Sequence, residues 1–299
     1  MNWLFTGIVA TLLFAFFGFF SKLSIFYHPV ISSLTICGTA AISGIILGLA
    51  MERSVSFSRE AFLSGIFSSV GMLTMLYMLI SNQVLVVFSF VSFASVIFFL
   101  IMLAFEKPDL SRRQESFAVF GILVSVVGLF LASTSTAGGF SYLLTNSLIN
   151  PYFLMVATVI PLGSGLWAYF SFVAIKKLKV KVPIAVFNYS LASLMVAATA
   201  YLFFGLSLPA PVFSGLTDFF PVIAGLFVMA GVVLTLKSFE LTSGKSRIEE
   251  TIVAILANAE IVPLIFLSYF ILREFTVEGF VGASTVFVGL VILNFARVR

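Results

Sequence analysis

Residues 251–272, TIVAILANAEIVPLIFLSYFIL, have the length and apolarity of a membrane-spanning helix, yet they carry Glu260 near their centre. A span needs about 20 mostly apolar residues at ~1.5 Å rise each, which puts Glu260 roughly 14 Å from the Thr251 end, near mid-membrane. A carboxyl group at that depth costs several kcal/mol unless it is protonated, paired or facing water. Three residues on, Pro263 has no N–H to donate, so in a continuous helix the carbonyl of Ala259 loses its partner. Irregular backbone survives at that depth only inside protein or beside a wet cavity. The stretch therefore points to a carrier whose cavity reaches Glu260.

The rest of the composition agrees with a membrane setting. Of 299 residues, 61% are hydrophobic and 9% charged, against roughly 25% charged in soluble domains. The mean hydropathy is +1.20. The 37 phenylalanines exceed what a soluble core needs, and a lipid-facing surface accepts them freely. A net charge of +4 does not mark a nucleic-acid binder, because the basic residues fall between apolar spans. The single Cys37 excludes intramolecular disulfides, and the single His28 excludes a histidine-built zinc site. No cofactor is expected. The first apolar stretch is too long for a cleavable signal and has no basic leader, so it reads as a span.

Ten spans are expected: 3–25, 29–50, 61–80, 84–105, 116–132, 151–175, 183–205, 219–236, 251–272 and 277–296. An uncharged stretch from Ser133 to Asn150 separates the first five from the last five. With the N-terminus inside, fourteen of the 16 Lys and Arg residues fall on the inner side, leaving Lys22 and Arg273 outside. That asymmetry predicts a cytoplasmic-membrane protein with both termini cytoplasmic.

The two halves echo one another. Phe20, Ser21 and Ile25 recur as Phe170, Ser171 and Ile175 at an offset of 150. Pro29 and Pro183 each open a span, and Glu106 and Glu274 each follow one. Gly121 and Gly128 are spaced as Gly282 and Gly289 are. Five spans is an odd number, so the second half inserts upside down. The predicted fold is an all-α membrane protein: two inverted five-helix repeats, 1–140 and 150–299, around a central cavity. Such repeats are a recurring plan of secondary transporters, with the site near mid-membrane.

Ten spans, Trp167 in the sixth and a Pro263-bearing ninth ending in Arg273-Glu274 resemble the EamA-type family of the drug/metabolite transporter superfamily. The resemblance covers essentially the whole chain, through short and mostly apolar motifs. It implies a helical basket that moves small metabolites, commonly amino acids, across the cytoplasmic membrane, often outward. The family pattern has a proline in the fourth span where this chain has Ser95, so a straighter fourth helix is expected.

Glu260 is the foremost candidate for substrate binding; neutral, it exchanges protons, and ionised beside water it binds an amine. The competing reading is a protonated group bonded between helices. At the offset of 168 that joins Glu106 to Glu274, its counterpart is Ser92. Asn258 lies roughly 200° from Glu260 around a regular helix, so only one of them faces a cavity. Lys22 and Lys237 sit at span ends, where they reach a substrate carboxylate or snorkel to the interface. Trp167 lies deeper than interfacial tryptophans do, just after Gly163-Ser164-Gly165, a run that admits close helix approach. Tyr77, Asn188 and Tyr189 complete the polar candidates, with packing as the competing role.

No phosphate-cradling loop, nucleophile elbow or metal-ligand motif is found, so an enzyme is not expected. The leading expectation is a secondary carrier for an amino acid or related metabolite, working by alternating access. The alternative is efflux of lipophilic cations or lipid-like molecules by the same fold. The expected partners are a small-molecule substrate and the lipid bilayer, with no nucleic acid. The chain is read as a monomer, with a dimer as the other option.

Overall fold

A computed structural model describes residues 2–25, 29–52, 54–80, 84–106, 111–134, 151–205, 216–242, 253, 256, 260–273 and 276–295. Among these residues there are helices and turns, and no strand. In chain order the helices are α1 (Trp3–Ile25), α2 (Pro29–Met51), α3 (Arg59–Leu79), α4 (Val84–Ser92), α5 (Ala94–Glu106) and α6 (Arg112–Thr134). They continue as α7 (Pro151–Phe172), α8 (Val182–Ala200), α9 (Phe220–Leu241), α10 (Ile261–Leu267) and α11 (Val277–Phe295). Single wide turns extend three of them, at Val173–Lys177, Tyr201–Gly205 and Ser268–Leu272.

Local chemistry sets several of these ends. Ser111 opens α6 as a capping box: the Gln114 side chain accepts the Ser111 N–H at 2.9 Å. Thr276 caps α11 by accepting the Gly279 N–H at 3.2 Å. Arg273 closes the turn after α10 with φ 54°, the left-handed form that stops helices.

Eight helices among the described residues are long and apolar enough to cross a membrane, and two shorter apolar segments, Ile261–Leu272 and Val277–Leu293, follow them. Their outer faces carry bare apolar side chains, such as Phe5, Ile46, Phe120 and Leu123. Water would not tolerate so much exposed apolar surface, whereas lipid does. The chain thus has the character of a multi-pass membrane protein.

The closest pairings are α6 with α11, α1 with α9, α3 with α7 and α2 with α8. Glycines make them close. A Cβ added at Gly121 would lie 2.5 Å from the Leu293 nitrogen, and one at Gly128 would lie 2.4 Å from the Val286 nitrogen. The earlier glycine of α6 thus meets the later part of α11, so the two helices run antiparallel. The pairing of α2 with α8 is antiparallel too, because Gly48 meets Pro183 and Gly44 meets Ser190.

The fourth span holds one turn residue, Phe93, between α4 and α5, where the Val96 N–H bonds to the Phe93 carbonyl at 2.9 Å. Helical bonds run through it, from the Phe93 N–H to the Ser89 carbonyl at 3.1 Å and from the Ile97 N–H to the Phe93 carbonyl at 3.3 Å. No proline is needed. Ser89, Ser92 and Ser95 bring three buried hydroxyls to this turn, and hydroxyls compete with the main chain for carbonyl acceptors.

Candidate functional site

α10 begins at Ile261, so Pro263 sits in its first turn, where a missing N–H is tolerated. The carbonyl of Ala259, expected to be freed by that proline, lies outside the described residues. Glu260 is the turn residue just before α10, and its side chain makes no capping bond. It is 1% exposed, and its Oε2 has no hydrogen-bond partner among the described residues. An unpartnered acid oxygen so deeply buried is costly.

That acid lines a cavity between the helices. α1 contributes Phe14 and Phe17 to its wall, and α4 contributes Phe88 and Val91. α3 contributes Ser68, Gly71, Met72 and Met75. α7 supplies Ser164 and Trp167, and α9 supplies Val228 and Val232. On α1, α3, α7 and α9 these residues lie well away from both helix ends, so the cavity sits at mid-depth. Its wall is apolar with few polar groups, as the walls of small-molecule sites are.

Two glycines place Trp167. A Cβ at Gly163 would lie 2.8 Å from the Phe67 carbonyl oxygen, so α7 closes directly onto α3. A Cβ at Gly165 would lie 2.7 Å from Ile97, which seats α5 on the opposite side. Trp167 then turns inward and packs edge-to-face on Phe14, with ring centres 6.0 Å apart. Its Nε1 is buried without a partner among the described residues. Glu260 Oε2 and Trp167 Nε1 are thus two unpartnered polar atoms on residues that line one cavity.

The other candidates lie elsewhere. Asn188 is committed to the main chain: its Oδ1 accepts the Ser58 N–H at 3.2 Å, and its Nδ2 donates to the Ser56 carbonyl at 2.8 Å and to that of Ile184 at 2.9 Å. It pins the segment that leads into α3. Tyr189 stands one layer behind the wall, its hydroxyl 2.8 Å from that of Ser68. Tyr77 is on the outer surface at 54% exposure. Lys22 donates to the Leu79 carbonyl at 3.0 Å, at the end of α3. Lys237 is ion-paired with Glu240, four-tenths exposed. Ser92 is fully buried on α4 and is not among the cavity-lining residues. Asn258 lies outside the described residues.

Sequence reasoning passed over Ser68 and read Ser164 only as part of a close-packing run, because serine is common in apolar spans and carries no depth signal. It also passed over Gly65 and Gly71 in α3, although the same spacing of six recurs as Gly225 and Gly231 in α9. That recurrence was available and marks the helices that bound the cavity.

No family model matches the chain, and no curated protein matches it. A solved structure described only as "Crystal structure of protein" is similar in fold, with a TM-score of 0.65 at 15% identity. The match covers 99% of this chain and 97% of that one. At that identity the likeness concerns the fold alone.

Proposed function

We propose that this chain is a secondary carrier of the EamA type, with ten spans in two inverted repeats, 1–140 and 150–299, both termini cytoplasmic. It moves a small metabolite across the cytoplasmic membrane by alternating access around Glu260. The observation that carries the reading is a mid-depth cavity holding a buried acid and walled by helices from both halves.

The pattern of contacts supports the repeat. Under the equivalences α1 to α7, α2 to α8, α3 to α9, α4–α5 to α10 and α6 to α11, the pairings come in couples. α1 on α9 answers α7 on α3, and α2 on α9 answers α8 on α3. The glycines repeat this in detail. A Cβ at Gly65 would meet the Tyr189 carbonyl and Ala192, while one at Gly225 would meet the Ile36 carbonyl and Thr39. Ile36 and Thr39 are offset from Tyr189 and Ala192 by the same 153 residues. The self-equivalent pairs, α2 with α8 and α6 with α11, run antiparallel, which is the relation an axis in the membrane plane produces.

Single turn residues fall within the fourth and ninth spans, at Phe93 and at Glu260. Interrupted helices beside a central cavity are where carriers hold their substrates. Amino acids and lipophilic cations differ in the charges they need in such a cavity. The test is counterflow in proteoliposomes loaded with a panel of amino acids, amines and organic cations. Uptake that saturates, needs no ATP and is lost in Glu260→Gln supports the reading; no flux for any solute refutes it.

A further inference from the structure

We infer that the cavity takes a small organic monocation with an apolar body, an alkyl- or arylamine, rather than a zwitterionic amino acid; this rests on the carrier reading above. Among the described lining residues Glu260 is the one with an ionisable acid or base, and none brings a positive charge. The cations first considered for a substrate carboxylate are engaged elsewhere, Lys22 with the Leu79 carbonyl and Lys237 with Glu240. Lys176 donates to the Thr242 carbonyl at 2.8 Å and Lys181 pairs with Glu52 at 3.1 Å, both away from the cavity wall.

Four aromatic rings share the wall with that acid. Phe14 and Trp167 meet edge-to-face at 6.0 Å and 80°, and Phe17 and Phe88 at 6.4 Å and 69°. The negative faces of such rings attract a cation, tryptophan most strongly, and the attraction grows when water is excluded. A carboxylate would meet those faces and Glu260 with repulsion. Its donors would be the Trp167 N–H and two serine hydroxyls, and the Ser68 hydroxyl is already bonded to Tyr189. Those neutral donors do not offset the repulsion of a buried acid. A monocation pairs with Glu260 and leaves the site neutral. The Trp167 N–H then serves a hydroxyl or ether on the same molecule.

The test uses three probes with the same ring: phenyltrimethylammonium, phenylalanine and 3-phenylpropanoate. The first is permanently charged and does not leak across bilayers as a neutral amine would. Binding to the purified full chain and counterflow in proteoliposomes are measured for each. The cation is expected to bind at least about tenfold more tightly than the other two. Glu260→Gln is expected to weaken it on the order of a hundredfold, as loss of a buried ion-pair partner does. Trp167→Phe is expected to weaken it about fivefold. Where Glu260→Gln fails to fold, Glu260→Asp replaces it, with weaker cation binding expected. Phenylalanine moved as well as the cation, no cation binding at all, or variants that bind it as the parent does would each overturn the inference. The first of these leaves the carrier reading standing; absence of counterflow for every solute defeats that reading itself.

Discussion

Gly65→Ala is a small change with a large expected effect. The new Cβ would lie 2.2 Å from the Tyr189 carbonyl oxygen and 2.8 Å from the Ala192 Cβ. Neither neighbour can swing aside, since one is main chain and the other is a methyl fixed to it. Restoring contact at roughly 3.4 Å requires α3 and α8 to part by about 1 Å, which places the strain near the upper end of overpacking, about 3 kcal/mol. Alanine in a helix interior gains about 1 kcal/mol over glycine. The net expectation is a loss of about 2 kcal/mol. Gly38→Ala is the matched control, because nothing lies within 4 Å of a Cβ there; it is expected to gain up to about 1 kcal/mol. Thermal melts in detergent, followed by fluorescence, read both. The displacement also reaches the cavity, since Tyr189 holds Ser68, so Gly65→Ala is expected to slow transport as well. A Gly65→Ala protein as stable as Gly38→Ala would refute the packing argument.

Other substitutions separate scaffold from site. Gly225→Ala, whose Cβ would lie 2.7 Å from the Ile36 carbonyl, is expected to lower the melting temperature in the manner of Gly65→Ala but less; equal or higher stability than the parent counts against a two-fold relation. Asn188→Ala strands the Ser58 N–H and the Ser56 carbonyl, and is expected to cost about 1–3 kcal/mol while leaving substrate affinity in the folded fraction unchanged. A selective loss of affinity would return Asn188 to the site. Trp167→Phe removes an N–H that has no described partner, so stability is expected to change by less than about 1 kcal/mol while binding weakens. Lys237→Ala removes an exposed pair with Glu240 and is expected to change stability by less than about 1 kcal/mol, with transport intact.

The helices were legible in the sequence because lipid demands long apolar runs, and turns between them collect the charges. α1 begins and ends where its apolar run does, at Trp3 and Ile25. Glu260 stood out for the same reason, as an acid where lipid forbids one. The remaining candidates were chosen by polarity within spans, a cue that does not separate a cavity wall from a helix contact. Asn188 answers two main-chain groups of the segment before α3, and Tyr189 answers Ser68; each is polar because its neighbour is. The turn at Phe93 was missed because proline was taken as the sign of one, while buried serines carry no comparable mark. Which serines line the cavity depends on helix rotation, and that is set by the glycine contacts at Gly163 and Gly71, which join residues far apart in the chain.

The central claim is a mid-depth cavity, lined by Trp167 and Glu260, that opens in turn to each face. Its most direct test is a single cysteine at the wall: Ser164→Cys with the buried Cys37 replaced by alanine. A membrane-impermeant maleimide is applied from the outer face of intact cells and from the inner face of inverted vesicles. Labelling from both faces, slowed by bound substrate, is the predicted result; labelling from neither face, or from one face under all conditions, contradicts the account.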